Sequence, residues 1–490
     1  MQVLMFCVLL AVISPAFSQT EPAALLWPQQ IVYEGAFKFS TSGFGYGGEA
    51  FGYYPAGDPS GPNDGYPGSL FGSGYGQANQ IAEFAIPTPV ISPTKSIGAI
   101  PQAATLQSFI DPFSSVPYVQ NLGVAGLLYL PAKGSQTSGK LYANLKDEYN
   151  SLSGGTHMAW LDVTLNNPNT AGFWRADTFN NVDIARYLLE IPQTWSDSHI
   201  SGKSIGTGDG SNYGASGPCL LACAPWQHGN PPTSQTVMDA VPLLFYDKYD
   251  HIGKKFTEVD WMTGAAWVTY GSRSALVFYG PMMYSMDRCY FYGHYGPGIY
   301  PCLTLFNPAD IEQVTAGTLQ PWAPRWYARK CLDPFFFSKK MPGGGCRFAE
   351  DGGYVSGGMA YDREHGKLYV SQMYGNGTDP IIHVFRIDTT VNASESGVKK
   401  NNRRMPSLAV FPNPFNPSTL ISVPKEYISG ESGLQKELKV FNARGELVAD
   451  LSRERGPSIE WNASHMSSGV YVIRFSCGST SLSKAVMLLK

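Results

Sequence analysis

Charge is scarce in this chain. Only 15% of its 490 residues are Asp, Glu, Lys or Arg, the formal net charge is -3, and no long basic block occurs. Nucleic acid is therefore not an expected partner, since phosphate binding needs a concentrated Lys/Arg surface. Long amphipathic helices are missing too, and Asn181 to Tyr187 and Ala309 to Val314 read at most as single turns or short helical excursions. Beyond the first residues no apolar run reaches the ~20 residues that cross a bilayer as a helix, so no transmembrane segment is expected in the mature chain. Catalytic signatures are also absent. The eight histidines form neither H-x-H nor H-E-x-x-H, and no C-x-x-C occurs. Gly202-Lys203-Ser204 imitates the end of a phosphate loop, but Asp197 stands where its first glycine belongs. Gly206-x-Gly208-x-Gly210 lacks dinucleotide spacing and reads as a turn. Asp58 to Asp64 is oxygen-rich, yet Pro59 and Pro62 break a calcium-loop pattern, which leaves a surface loop. Neither a metal site nor a cofactor is expected.

What is abundant is Gly (53), Pro (36), Tyr (28) and Phe (26). Aromatics fit a pleated sheet, and Gly and Pro punctuate it, so strands and turns are favoured. Val3 to Ile13 is an apolar run of leader length. Ala16-Phe17-Ser18 before Gln19 supplies a small-x-small pattern, so a signal peptide over 1–18 with cleavage between Ser18 and Gln19 is expected, although Met1-Gln2 brings no Lys or Arg. Removing Cys7 with the leader leaves seven of the eight cysteines, an odd set for an oxidising compartment. Cys289/Cys302 and Cys331/Cys346 each flank a loop containing Gly and Pro, which makes hairpin-type bridges plausible. Cys219 and Cys223 lie too far apart along one strand to join unless the segment turns.

From 19 to 391 the pattern is one of short strands separated by turns, in a chain long enough for a large domain and a smaller one. A Gly-rich step followed by an aromatic-bearing apolar strand recurs at Gly47–Phe51, Gly154–Trp160, Ser216–Leu221, Thr263–Trp267 and Ser356–Tyr361, with a sixth candidate at Gly123–Tyr129. Tyr187 to Pro192 reads as a closing strand, echoing Gln80 to Pro87. Repeated meanders that open on a small-residue inner strand are the sequence form of a β-propeller, because inner strands crowd at the axis. About six blades are expected, with five to seven allowed; a large irregular double sandwich is the alternative. In a propeller the starts of the inner strands line a channel mouth, where ligands bind. Glu49, His157, Asp260 and Trp261 are the candidates there. An acid, an imidazole and an aromatic would grip a sugar, or would merely form hydrogen bonds inside the channel. Binding of a polysaccharide or a surface protein without catalysis is the first functional expectation, and a polysaccharide-active hydrolase or lyase is the alternative.

Residues 392–406 are polar and basic and read as a flexible linker. Beyond them, 407–490 carries six or seven short strands, an Ig-like β-sandwich pattern. Pro412-Asn413-Pro414-Phe415-Asn416-Pro417 holds the first segment extended, with Phe411 and Phe415 expected to anchor it on a sheet. These prolines, the strand-turn-strand from Val440 through Gly445 to Val448, Trp461-Asn462, Ser468-Gly469-Val470-Tyr471 and the final Leu488-Leu489-Lys490 together resemble the type A sorting domain of the type IX (Por) secretion system. The resemblance implies passage through the periplasm, contact with the secretion machinery and delivery to the outer cell surface or medium. The preceding region is similar, in its Gly-Gly-x-Ala openings and Glu-Ile-Pro closings, to an uncharacterised group of secreted bacterial propeller proteins. No activity comes with that similarity.

Overall fold

A chain with few helix-forming runs and many aromatics between glycines and prolines folds almost wholly as sheet. The computed structural model is all-β, and among the described residues its α-helices are the short Asn181–Ile184, Gln193–His199 and Pro308–Thr315. The structure describes residues 24–39, 43–58, 61, 64–75, 78–116, 123–146, 155–179, 181–210, 217–246, 256, 260–283, 289–290, 294–295, 299–337, 355–391, 408–423, 436–454, 458–477 and 480–490. The chain divides into two compact units, Met1–Ala393 and Ser394–Lys490. The expected leader 1–18 with its Ser18/Gln19 cleavage point, the linker 392–406 and Cys346 lie outside the described residues, as do the side chains of Cys289 and Cys477.

Among its described residues, the first unit contains five antiparallel meanders in chain order. They are Phe51–Tyr54 to Thr105–Ile110, Gly123–Leu130 to Ala171–Ala176, Tyr187–Glu190 to Val241–Leu244, Gly264–Tyr270 to Trp326–Cys331, and Val355–Asp362 to Asp379–Ile387. The fifth has only three strands of its own. Its fourth is Ile31–Phe39 from the other end of the unit, antiparallel to Asp379–Ile387 with Ile31 opposite Ile387 and Lys38 opposite Ile381. The first strands of the five meanders neighbour one another in sequence, and Val355–Asp362 returns to Phe51–Tyr54.

Glycine makes this approach possible. A Cβ on Gly126 would lie 2.8 Å from the Arg186 carbonyl oxygen of the next inner strand's entry, and one on Gly358 would lie 2.7 Å from the Glu49 carbonyl oxygen. Between each pair of neighbouring sheets sits a separate apolar layer. Phe71 and Leu127 belong to the layer between the first and second sheets. Trp160 and Trp174 meet edge to face at 5.0 Å in the layer between the second and third. Leu189 and Trp267 share the next layer, Tyr279 and Val370 the next, and Phe37, Phe51 and Phe84 the last. Burial of rings this size stabilises each junction by about 2–3 kcal/mol per side chain.

Four sequence assignments change. Met158–Leu161 and Leu220–Cys223 are third strands of their sheets and not inner strands, because each pairs on both edges with its own meander. Tyr187–Glu190, read as a closing strand, opens the third sheet. Two false openings and one missed one turn six candidates into five sheets. Ile205–Gly208 is a strand and not a turn.

The second unit packs two sheets face to face. Ala409–Phe411, Ser418–Ser422 and Ser458–Asn462 form one; Leu447–Asp450, Lys436–Asn442, Gly469–Cys477 and Thr480–Leu488 form the other. Phe415, Val440, Trp461, Tyr471 and Ile473 fill the space between them. Trp461 lies 5.3 Å from the Phe415 ring and 5.3 Å from the Tyr471 ring. Gly445 takes φ +80° in the turn after Asn442, whose Oδ1 accepts from the Arg444 and Glu446 N–H groups. Phe411 is not an anchor. Period-2 alternation turns it outward, and it is 80% exposed.

Candidate functional site

The expected mouth residues separate in the structure. Glu49 lies two residues before the first inner strand, and its carboxylate meets Lys146 Nζ at 2.9 Å. His157 is elsewhere. It enters the third strand of the second sheet and is fully buried. Its Nδ1 lies 3.1 Å from Asn144 Oδ1, and its Nε2 accepts from the Ala176 N–H at 3.2 Å. Burial, helped by the Arg175 charge, lowers its pKa to about 3. His157 is thus a neutral internal crosslink of one sheet and not a channel residue.

Asp260 and Trp261 do precede an inner strand, Gly264–Tyr270. Asp260 is 4% exposed. The Arg186 guanidinium lies 4.7 Å over the Trp261 ring, and its Nε is 3.2 Å from Asp209 Oδ1. Arg186, Asp209 and Lys146 were not legible as site residues. Asp209 follows Gly208 in the segment read as a turn, and Arg186 sits before a strand assigned the wrong role.

A cavity of about 280 Å³ occupies the middle of the ring, toward the C-terminal ends of the inner strands. Each inner strand contributes to its wall, among others with Tyr53, Tyr129, Glu190, Trp267 and Tyr361, and Arg363 closes over it. Glu190 is the electrostatic centre. Its Oε1 meets Lys133 Nζ at 3.0 Å and its Oε2 meets Arg363 Nε at 3.3 Å. Lys133 also donates to Gln193 Oε1 at 3.0 Å and Ser204 Oγ at 3.3 Å. Arg363 further donates to Thr269 Oγ1 and lies 5.5 Å from the Tyr361 ring. Burial works against ionisation of Glu190, but Arg363 and Lys133 together outweigh it and hold the carboxyl below its ordinary range. Burial first, and the Asp362 charge second, push the Tyr53 hydroxyl up; burial does the same for Tyr361. The cavity therefore combines neutral phenols with the ionised, cation-bound Glu190, and Asp362 and Glu364 also line it. Among the described residues no group of three or more His, Cys, Asp or Glu is placed to hold a metal ion.

Fold and site define an all-β protein of two units, one a ring of sheets around a small polar and aromatic cavity, the other a compact sandwich. The sandwich is identifiable: residues 409–488 match the family described as the secretion system C-terminal sorting domain. The second unit is a sorting domain of the type IX secretion system, and the protein is exported to the cell surface or beyond. No curated protein matches the chain. Among solved structures, the extracellular domain of a one-component system from B. thetaiotaomicron aligns at 9% identity and a TM-score of 0.26, covering 96% of this chain and 59% of that one. The BSP domain of a biofilm-associated protein aligns at 9% identity and a TM-score of 0.14, covering 97% of this chain and 84% of that one. Likenesses this distant carry no argument about fold or function.

Proposed function

We propose that the first unit is a five-bladed β-propeller, carried outside the cell by its sorting domain, and that its central cavity binds a polysaccharide end. The propeller reading is supported by five meanders whose first strands neighbour one another in a closed cycle, and by the Ile31–Phe39 strand that completes the last of them. The ligand reading rests on one observation. A cavity walled by every inner strand sets Tyr53, Tyr129 and Tyr361 beside the Glu190–Arg363 pair, whose side chains are 29% and 30% exposed. Phenol rings stack on the apolar faces of sugars, while a carboxylate and a guanidinium exchange hydrogen bonds with sugar hydroxyls. At about 280 Å³ the cavity is near the small end of ligand pockets, about 300 Å³, which suits a chain end.

Binding is favoured over turnover by the state of Glu190. A general acid must keep its proton near the working pH, whereas Glu190 is held ionised by two cations. The test is a glycan-array screen of the purified full chain, followed by titration calorimetry. Tyr129→Ala and Tyr361→Ala are expected to weaken the selected glycan about tenfold or more, roughly the worth of one aromatic contact, measured at a temperature where each variant remains folded. Failure of every glycan to bind removes the proposal. Release of new reducing ends, abolished by Glu49→Gln or Glu190→Gln, replaces it with the hydrolase or lyase reading.

A further inference from the structure

Cys302 and Cys331 lie directly opposite each other on Ile299–Phe306 and Trp326–Cys331, the third and fourth strands of the fourth sheet. The Leu332 N–H donates to the Pro301 carbonyl at 2.8 Å. That bond lies one residue outside the cysteines on both strands, which makes them a non-hydrogen-bonded pair. Facing side chains come closest at such positions, with Cα atoms about 4.5 Å apart. Disulfides span Cα separations of about 4.4–6.8 Å. Neither sulfur is bridged in the structure, and Cys302 is hydrogen-bonded to Cys331. Cys302 is fully buried and Cys331 is partly exposed.

We propose that, in the exported protein, Cys302 and Cys331 are joined as a cross-strand disulfide that fastens the edge strand Trp326–Cys331 to its sheet. Export places the pair among disulfide-bearing oxidants. The Cys331 thiolate, reachable from solvent, attacks one sulfur of such an oxidant and expels its first thiol, leaving a mixed disulfide. Cys302 then gives up its proton to solvent and attacks the Cys331 sulfur, expelling the second thiol. The protein loses two electrons and two protons, and the oxidant disulfide becomes two thiols. The hydrogen bond from Cys302 holds the Cys331 thiol below its ordinary range, which favours the first attack. Cys219 and Cys223 make the contrast. Burial pushes both thiols up, that of Cys223 to about 12, and their positions at and just before one strand keep them apart.

This pairing competes with bridges between Cys289 and Cys302 and between Cys331 and Cys346. The discriminating experiment uses full-length protein recovered after export, with free thiols alkylated under denaturing, non-reducing conditions. Digestion with trypsin and chymotrypsin separates Cys289 from Cys302 by cutting after Tyr295. The expected result is a peptide holding Cys302 linked to one holding Cys331, lighter by two hydrogens than the separate pair and resolved by reduction. Alkylation of both cysteines, or linkage of either to Cys289 or Cys346, overturns the proposal. A Cys331→Ser variant, exchanged at the partly exposed position, is expected to leave Cys302 alkylatable in denaturant and to unfold at the midpoint of reduced wild-type protein.

Discussion

Arg363 of the fifth sheet holds Glu190 of the third at both ends of the residue. Its Nε lies 3.3 Å from the carboxylate, and its Nη2 donates to the Glu190 carbonyl at 3.2 Å. Lys133, from the turn after the second sheet's inner strand, takes the other carboxylate oxygen at 3.0 Å. One carboxylate thus ties three sheets together at the cavity.

Replacing Glu190 with Gln should cost about 1–2 kcal/mol near neutral pH, the scale for losing charged hydrogen bonds at a partly exposed site. The folded-state pKa of Glu190 lies below its unfolded value. Its contribution is therefore full above the unfolded range, about 4.3, and disappears as pH falls through the folded value. Urea midpoints of wild type and Glu190→Gln, measured from neutral pH into the acid range, should differ at neutrality and converge at the acid end. A constant gap across the series would contradict the assignment.

Gly358→Val places a Cβ 2.7 Å from the Glu49 carbonyl oxygen and against Ala50. Backbone faces it, so the contact has no flexible side chain to yield. We expect destabilisation of about 1–3 kcal/mol or more, read by denaturant titration. Gly98→Ala meets only Ser96 Oγ at 3.8 Å and should stay within about 0.5 kcal/mol of wild type.

His157 and His383 are both fully buried, and burial lowers each pKa to about 3. His383 sits between Tyr33 and Gln372, with ring nitrogens 3.2 Å from the Tyr33 hydroxyl and 3.0 Å from Gln372 Oε1. The unfolded chain binds protons at these histidines below about pH 6.5 while the native state does not. Stability should therefore fall as pH drops from 6.5 toward 3. In NMR titrations these two rings should keep neutral-imidazole shifts down to about pH 4.5, where an ordinary histidine is protonated.

Trp461→Ala empties the middle of the sorting domain, between Phe415 and Tyr471. A loss of about 3–5 kcal/mol is large against the stability of a domain this small. The variant should accumulate in the periplasm and disappear from the surface and medium, as judged by fractionation. A similar loss of delivery is expected on removing everything after Arg404. Unchanged delivery in either case would separate sorting from the fold of the tail.

The inner-strand glycines illustrate how far the reading of residues reached. Gly52, Gly126, Gly264 and Gly358 stand where inner strands nearly touch, and the crowding argument picks out all four segments. It also picked out Gly154–Trp160 and Ser216–Leu221, because small residues followed by aromatics suit the packing of a third strand equally well. The opening strand Tyr187–Glu190 escaped because the small partner at its junction is Gly126, on the strand before it. Glu49, Asp260 and Trp261 were picked for their positions before strands, but none of them is among the residues that line the cavity. Glu190, Lys133 and Arg363 were not legible, since they are distant along the chain and only closure of the ring brings them together.

Two features were written locally. The ordered prolines, turn glycine and tryptophan of 409–488 define the sorting domain, and the alternation of aromatic strands with Gly and Pro defines an all-β chain, because turn chemistry and side-chain period act within a few residues. The cyclic order of the sheets, the Glu190 centre of the cavity and the facing of Cys302 with Cys331 were decided only in three dimensions. Strand register and ring closure set those contacts, and both depend on how whole sheets pack and not on spacing along the chain.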